Sequence, residues 1–200
     1  MTAGGRRSIT ISIRQSVDVT QHVAAFDDAC QMLRTSRLIV VAECACRREK
    51  GDSAERAEIP REVCFLFGAM ARYYLDHQMG REVEPEEAVA ILKTARDAGL
   101  VSQPATARNP GGICNCRTDW CEVLAGLKNQ PRPAEMVSAK YAAKVDAHCC
   151  TACGSCLERC QMEAIEISPA GAACVSGGRC IGCGLCAAAC PAGALQMILR

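Results

Sequence analysis

Residues 150–160 read Cys-Thr-Ala-Cys-Gly-Ser-Cys-Leu-Glu-Arg-Cys, and residues 180–190 read Cys-Ile-Gly-Cys-Gly-Leu-Cys-Ala-Ala-Ala-Cys. A shift of 30 positions lays Cys150, Cys153, Cys156 and Cys160 on Cys180, Cys183, Cys186 and Cys190, and Gly154 on Gly184. The register continues past the cysteines: Ala164 falls on Ala194, Ile165 on Leu195 and Ile167 on Met197. Each unit is spaced C-x2-C-x2-C-x3-C. Three cysteines so spaced on a tight loop direct their sulfurs to one compact centre, while loop amides are free to donate to those sulfurs. The fourth follows a short helical turn and points away. Zinc modules typically pair two cysteines and leave a longer gap before the next pair. The stretch is therefore a duplicated metal-binding unit, and its spacing favours iron–sulfur over zinc.

Working outward, the whole chain has 200 residues and 17 cysteines, an odd number that rules out a complete intrachain disulfide framework. Residues 1–21 carry no apolar core of a secretory signal, and no apolar run approaches the ~18 residues of a membrane span. A reducing cytoplasm is expected, where crowded cysteines hold metal. Half the residues are hydrophobic, which argues against disorder. A net charge of +1 and only 4% aromatic residues argue against a nucleic-acid surface. No G-x-G-x-x-G or P-loop spacing occurs, so no nucleotide or flavin site is indicated.

CTACGSCLERC followed by CIGCGLCAAACP resembles a bacterial-type ferredoxin with two [4Fe–4S] clusters, over about residues 140–200. The resemblance implies that Cys150, Cys153 and Cys156 with Cys190 hold one cubane, and Cys180, Cys183 and Cys186 with Cys160 the other. It implies two short β-hairpins and two helices in pseudo-twofold symmetry, for which 141–145, 165–167 and 195–197 are suitable strands. Pro191 follows Cys190 as the family expects, whereas Gln161 follows Cys160. Cys149 and Cys174 have no place in the repeat and are read as packing residues or free thiols. A cubane with four thiolates has no vacant position for substrate, but it exchanges one electron with little geometric change.

The remaining seven cysteines lie in residues 1–145. Asn129-Gln130-Pro131-Arg132-Pro133-Ala134 reads as a linker, dividing the chain into 1–128, a linker 129–139, and 140–200. The expected class is α+β, with a mainly helical N-terminal domain. Ile9, Ile11 and Ile13 alternate as in a strand, and Leu38–Val41 forms another leading to Cys44. Thr20 is read as capping a helix with Val23, Phe26, Cys30 and Leu33 on one face. Pro60 opens a helix carrying Val63, Leu66, Phe67, Met70 and Tyr74. Pro85 opens another that Gly99 closes, with Val89, Leu92 and Ala95 inward.

Cys44-Ala45-Cys46 and Cys114-Asn115-Cys116 are two C-x-C pairs, and Cys64 and Cys121 bring the candidates for an additional metal site to six. Their convergence is expected to require that the strand ending near Val41 lie beside the loop of Gly111 and Gly112. The alternative is that these cysteines simply pack. AECACRRE, the stretch REVCFLFGAMARYYLDHQMGREVEPEEAVAILKTARDAGLV, and GGICNCRTDWC resemble the N-terminal region of ferredoxin-fused proteins of anaerobic metabolism, over about residues 38–127.

The leading reading is an electron-transfer protein, a small subunit or dedicated partner of a redox enzyme. It relays single electrons through two [4Fe–4S] clusters, with a third cluster or other metal in the first half. Residues 146–200 hold Asp146, Glu158, Glu163 and Glu166 against Arg159, Arg179 and Arg200. So near-neutral a module steers weakly, which suits a docked subunit better than a diffusing shuttle. Two alternatives stand beside it. One is a redox-enzyme component with a substrate-accessible N-terminal cluster. The other is an iron–sulfur redox sensor, in which the Pro85–Ala98 helix followed by Gly-Leu-Val resembles part of a winged helix.

Overall fold

The computed structural model describes residues 21–51, 58–105 and 111–200. The strand expected at Ile9–Ile13 and the cap expected at Thr20 lie outside them. The chain is α+β. The first half is organised by an antiparallel five-stranded sheet in the order β4-β2-β3-β6-β5. Its strands are β2 (Ile39–Glu43), β3 (Glu62–Phe67), β4 (Arg81–Glu82), β5 (Val101–Pro104) and β6 (Gly112–Cys116). The expectation of a mainly helical domain thus understates the sheet. Helices α1 (Phe26–Thr35) and α4 (Pro85–Asp97) pack together over one face, where Leu33, Val41, Phe65, Phe67, Leu92 and Ile113 are buried. Pro85 sits in the first turn of α4 as expected, and Gly99 follows its end with φ +83°.

Two element readings are corrected. Val23 belongs to β1 (Gln21–Val23), and α1 begins only at Phe26. No helix starts at Pro60: residues 62–67 are strand, and α3 (Gly68–Asp76) follows. Val63, Leu66, Phe67 and Met70 fit helical spacing, but Val63, Phe65 and Phe67 also alternate, and these three are the buried ones. Pairing with β2 on one side and β6 on the other decides for strand.

The alternation gives the sheet a second face. Asn115 points inward, where it accepts from Ser102 Oγ at 2.7 Å and donates to the Val63 carbonyl at 2.7 Å. The residues on either side of it, Cys114 and Cys116, take the opposite face with Cys64 and Leu66.

Residues 141–200 repeat in backbone as they do in sequence. β8 (Tyr141–Val145) pairs with β11 (Leu195–Leu199), and β9 (Ile165–Ile167) with β10 (Ala173–Val175), all antiparallel. Val145 faces Leu195 as Val175 faces Ile165, the same pair after a shift of 30 with the partners exchanged. Asp146 N donates to Ala194 O and Ser176 N to Ala164 O under the same operation. Positive φ recurs in register at Ala152 and Gly182, Gly154 and Gly184, and Glu163 and Gly193. Each unit then enters a short helix, α6 (Ser155–Arg159) or α7 (Leu185–Ala188).

The segment between the halves is structured. Pro133–Met136 forms a 3-10 turn, and β7 (Val137–Ala139) pairs in parallel with β1. One hydrophobic core runs from Val63, Trp120 and Leu124 to Met162, Ile181 and Leu185. Three side chains stitch its two sides. Arg179 donates to the carbonyls of Lys128, Gln130 and Met162 at 2.9, 3.0 and 2.8 Å. Arg159 donates to Asp97 O at 2.5 Å, and Gln161 Oε1 accepts from Thr118 N and Oγ1 at 3.1 and 3.0 Å.

Candidate metal centres

Among the described residues, cysteines line three cavities. The first is lined by Cys150, Cys153, Cys156 and Cys190, and the second by Cys160, Cys180, Cys183 and Cys186. Each therefore takes three thiols from one repeat and the fourth from the other. The helical turn after the third cysteine carries Cys160 and Cys190 across the pseudo-twofold axis. Apolar walls close both cavities: Val145, Ile167 and Leu195 at the first, Met162, Ile165 and Ile181 at the second.

Backbone amides point at the sulfurs. Ala173 N donates to Cys150 Sγ and Ala143 N to Cys180 Sγ, both at 3.4 Å, and Ala164 N donates to Cys160 Sγ at 3.2 Å. Such donors stabilise thiolate, and sulfur hydrogen bonds are one lever on cluster potential. Opposing them, burial pushes the Cys183 thiol up to about 12 and raises Cys186 and Cys156 as well. A thiol that burial keeps neutral ionises more readily when a cation stands against it, so a bound metal would offset the cost of that burial. The donor set suits an iron–sulfur cage: soft sulfur ligands, apolar walls and aimed amides.

The third cavity lies on the second face of the five-stranded sheet, holds about 480 Å³, and is lined by Cys44, Cys46, Cys64, Cys114, Cys116 and Cys121. Cys44 stands at the start of α2 (Ala45–Lys50), where a bulge between Ala42 and Glu43 redirects β2. Cys121 stands at the start of α5 (Glu122–Lys128). Five of the sulfurs are neighbours in the order Cys114, Cys64, Cys44, Cys116, Cys121, each acting on the ionisation of the next. Cys116 and Cys64, with the amides of Arg47 and Cys46, hold the Cys44 thiol well below its usual range. Cys116, with the amides of Leu124 and Val123 and the Gln103 side chain, brings Cys121 down to about 6. Cys64 is raised by its bonds to Cys114 and Cys44, and Cys116 by its bonds to Cys121 and Cys44. Cys46 is exposed, and burial followed by the neighbouring thiols raises it.

All six sequence candidates thus meet at one cavity. The expected route to that meeting is corrected: β3 lies between β2 and β6, so the strand ending near Val41 does not lie beside Gly112. The close approach at Gly112 is to β3, where a Cβ would stand 2.4 Å from Phe65 O. Among the described residues, no group of three or more His, Cys, Asp or Glu side chains is set to hold a single metal ion.

Beside the third cavity lies Arg47, which is buried. It donates to the carbonyls of Ile59 and Pro60 and lies 4.7 Å over the Trp120 ring. Trp120 is packing, and Cys30 is core. Cys149 and Cys174 are exposed thiols. His148 is exposed, its amide bonded to Asp146 Oδ1.

The family model of the 4Fe-4S binding domain matches residues 173–196, which hold Cys180, Cys183, Cys186 and Cys190. The chain therefore carries an iron–sulfur electron-transfer domain with at least one [4Fe–4S] cluster. No curated protein matches the chain. No helix among the described residues is long and apolar enough to cross a membrane.

Proposed function

We propose that this chain is an electron-transfer protein, a small subunit or dedicated partner of a redox enzyme, whose residues 140–200 carry two [4Fe–4S] clusters. The observation that supports it most is the pair of cavities with crossed cysteine sets. Cys150, Cys153, Cys156 and Cys190 would hold one cluster, and Cys160, Cys180, Cys183 and Cys186 the other. When bound, such a cluster supplies reversible one-electron exchange. The chain does the rest: amides of Ala143, Ala164 and Ala173 steady the sulfurs, and the apolar walls keep water away. Residues 1–128 are the docking and accessory domain, and four of the six thiols at its cavity hold a further iron–sulfur centre. The reading places the protein in the cytoplasm, where thiols stay reduced.

A second reading, a redox-enzyme component with a substrate-accessible N-terminal centre, is favoured by the open 480 Å³ cavity. The two share their test. Protein reduced anaerobically and separated from reductant should pass electrons to an oxidised viologen and should bind DNA only weakly. Failure to reduce the viologen contradicts electron transfer. Tight sequence-specific DNA binding that changes with oxidation state would favour the sensor instead.

A further inference from the structure

Six thiols surround the N-terminal cavity, whereas a [4Fe–4S] cluster takes four. Resting on the reading of a centre there, we infer that Cys64 and Cys114 are not its ligands but a redox-active dithiol beside it, which reduces a small, apolar-bodied disulfide entering the cavity.

Strand register sets this pair apart. Phe65 pairs with Ile113 and Leu66 with Gly112, so the next step along β3 and β6 brings Cys64 opposite Cys114 on one face. Cross-strand neighbours have Cα atoms about 4.5–5.5 Å apart, inside the roughly 4.4–6.8 Å that a disulfide spans. The pair can close with the strands in place. The other four thiols are better placed to ligate. Cys44 and Cys121 receive backbone amides, as the C-terminal cluster thiols do, and Cys116 bonds to both of them. Cys46 shares the Cys44 turn. Cys64 also touches Cys44, which puts the dithiol in contact with the four.

Exposure divides the labour. Cys114 is exposed and Cys64 half-buried behind it, an attacking thiol with a resolving partner. The walls that a substrate would meet are apolar: Leu66, Met70, Tyr74 and Val123. The Cys114 thiolate attacks one sulfur of the disulfide, forming a mixed disulfide and releasing one thiolate. Cys64 then attacks Cys114 Sγ, expelling the second thiolate and closing the Cys64–Cys114 disulfide. Two electrons and the two thiol protons leave with the products. Two electrons and two protons reopen the pair, supplied one electron at a time by a low-potential one-electron donor through the electron-transfer function proposed above.

The test uses full-length, anaerobically purified protein and 2,2′-dithiodipyridine as the disulfide, in a Cys149→Ser/Cys174→Ser background that removes two exposed thiols. With one equivalent of probe, two thiopyridones should be released per probe, and peptide mapping should find a Cys64–Cys114 disulfide. Cys64→Ser should halve the release and leave the mixed disulfide on Cys114. Cys114→Ser, at an exposed position that leaves the core intact, should slow the first release by about tenfold or more. Neither variant should lose iron. A disulfide joining other cysteines, or loss of iron from either variant, overturns the assignment. Cys44→Ser/Cys46→Ser judges the underlying reading separately, because it should lower iron from roughly twelve to eight per chain. If iron does not fall, the centre is refuted, while the peptide map still decides for or against the dithiol.

Discussion

Gln161 follows Cys160 where the ferredoxin resemblance expects proline, and its side-chain oxygen accepts two hydrogen bonds from Thr118. Thr118 lies between Cys116 and Cys121, so the departure from the family pattern is a tie between the C-terminal module and the N-terminal cavity. Gln161→Ala should leave the part-buried Thr118 amide without its partner and cost about 1–2 kcal/mol in chemical denaturation, with iron content unchanged. Loss of iron instead would show that the glutamine supports the Cys160 turn rather than the interface. This role is illegible in the sequence, because the partner is 43 residues away and nothing local marks Thr118.

At the scale of elements, the repeat is the most legible feature, since eight cysteines in register allow one reading. Conformation follows it even where residue type does not. Ala152 holds φ +53° where its counterpart Gly182 holds φ +74°, and a Cβ on Gly182 would stand 2.1 Å from Tyr141 O. The same position should therefore respond oppositely in the two halves. Ala152→Gly relieves a left-handed alanine and should be neutral or stabilising by up to about 1 kcal/mol in a thermal melt. Gly182→Ala should lose about 3 kcal/mol or more, since strain and clash add. Equal effects would mean that the half-sites are packed alike. The five-stranded sheet was harder to read. Residues 62–67 satisfy helical and strand periods together, and only β2 and β6, distant in sequence, choose between them. The β10 strand (Ala173–Val175) escaped because three residues within a Gly- and Ala-rich turn carry no period of their own.

At the scale of the whole molecule, the two halves share one core, and the N-terminal thiol cavity is tied to the second C-terminal cysteine cavity by more than proximity. Helix α5 begins at Cys121, and its last carbonyl, on Lys128, binds Arg179, the neighbour of Cys180. Seven residues of helix span roughly 10 Å, so the two cavities lie close together in the fold. Convergence of the six N-terminal cysteines was legible only as a condition, and the structure reaches it by another route, because the placing of β3 between β2 and β6 is decided by tertiary pairing. Crossed ligation can be tested on the intact chain. Cys160→Ala should remove the cluster of Cys180, Cys183 and Cys186, and Cys190→Ala that of Cys150, Cys153 and Cys156. Loss of each variant's own-repeat cluster instead would refute the crossing.

The most direct test of the central claim is the iron and acid-labile sulfide content of the full-length Cys44→Ala/Cys46→Ala variant, reconstituted anaerobically. With the N-terminal centre removed, two [4Fe–4S] clusters should leave roughly eight irons and roughly eight sulfides per chain. Zinc in place of iron, or only about four irons, would contradict the two-cluster electron-transfer module.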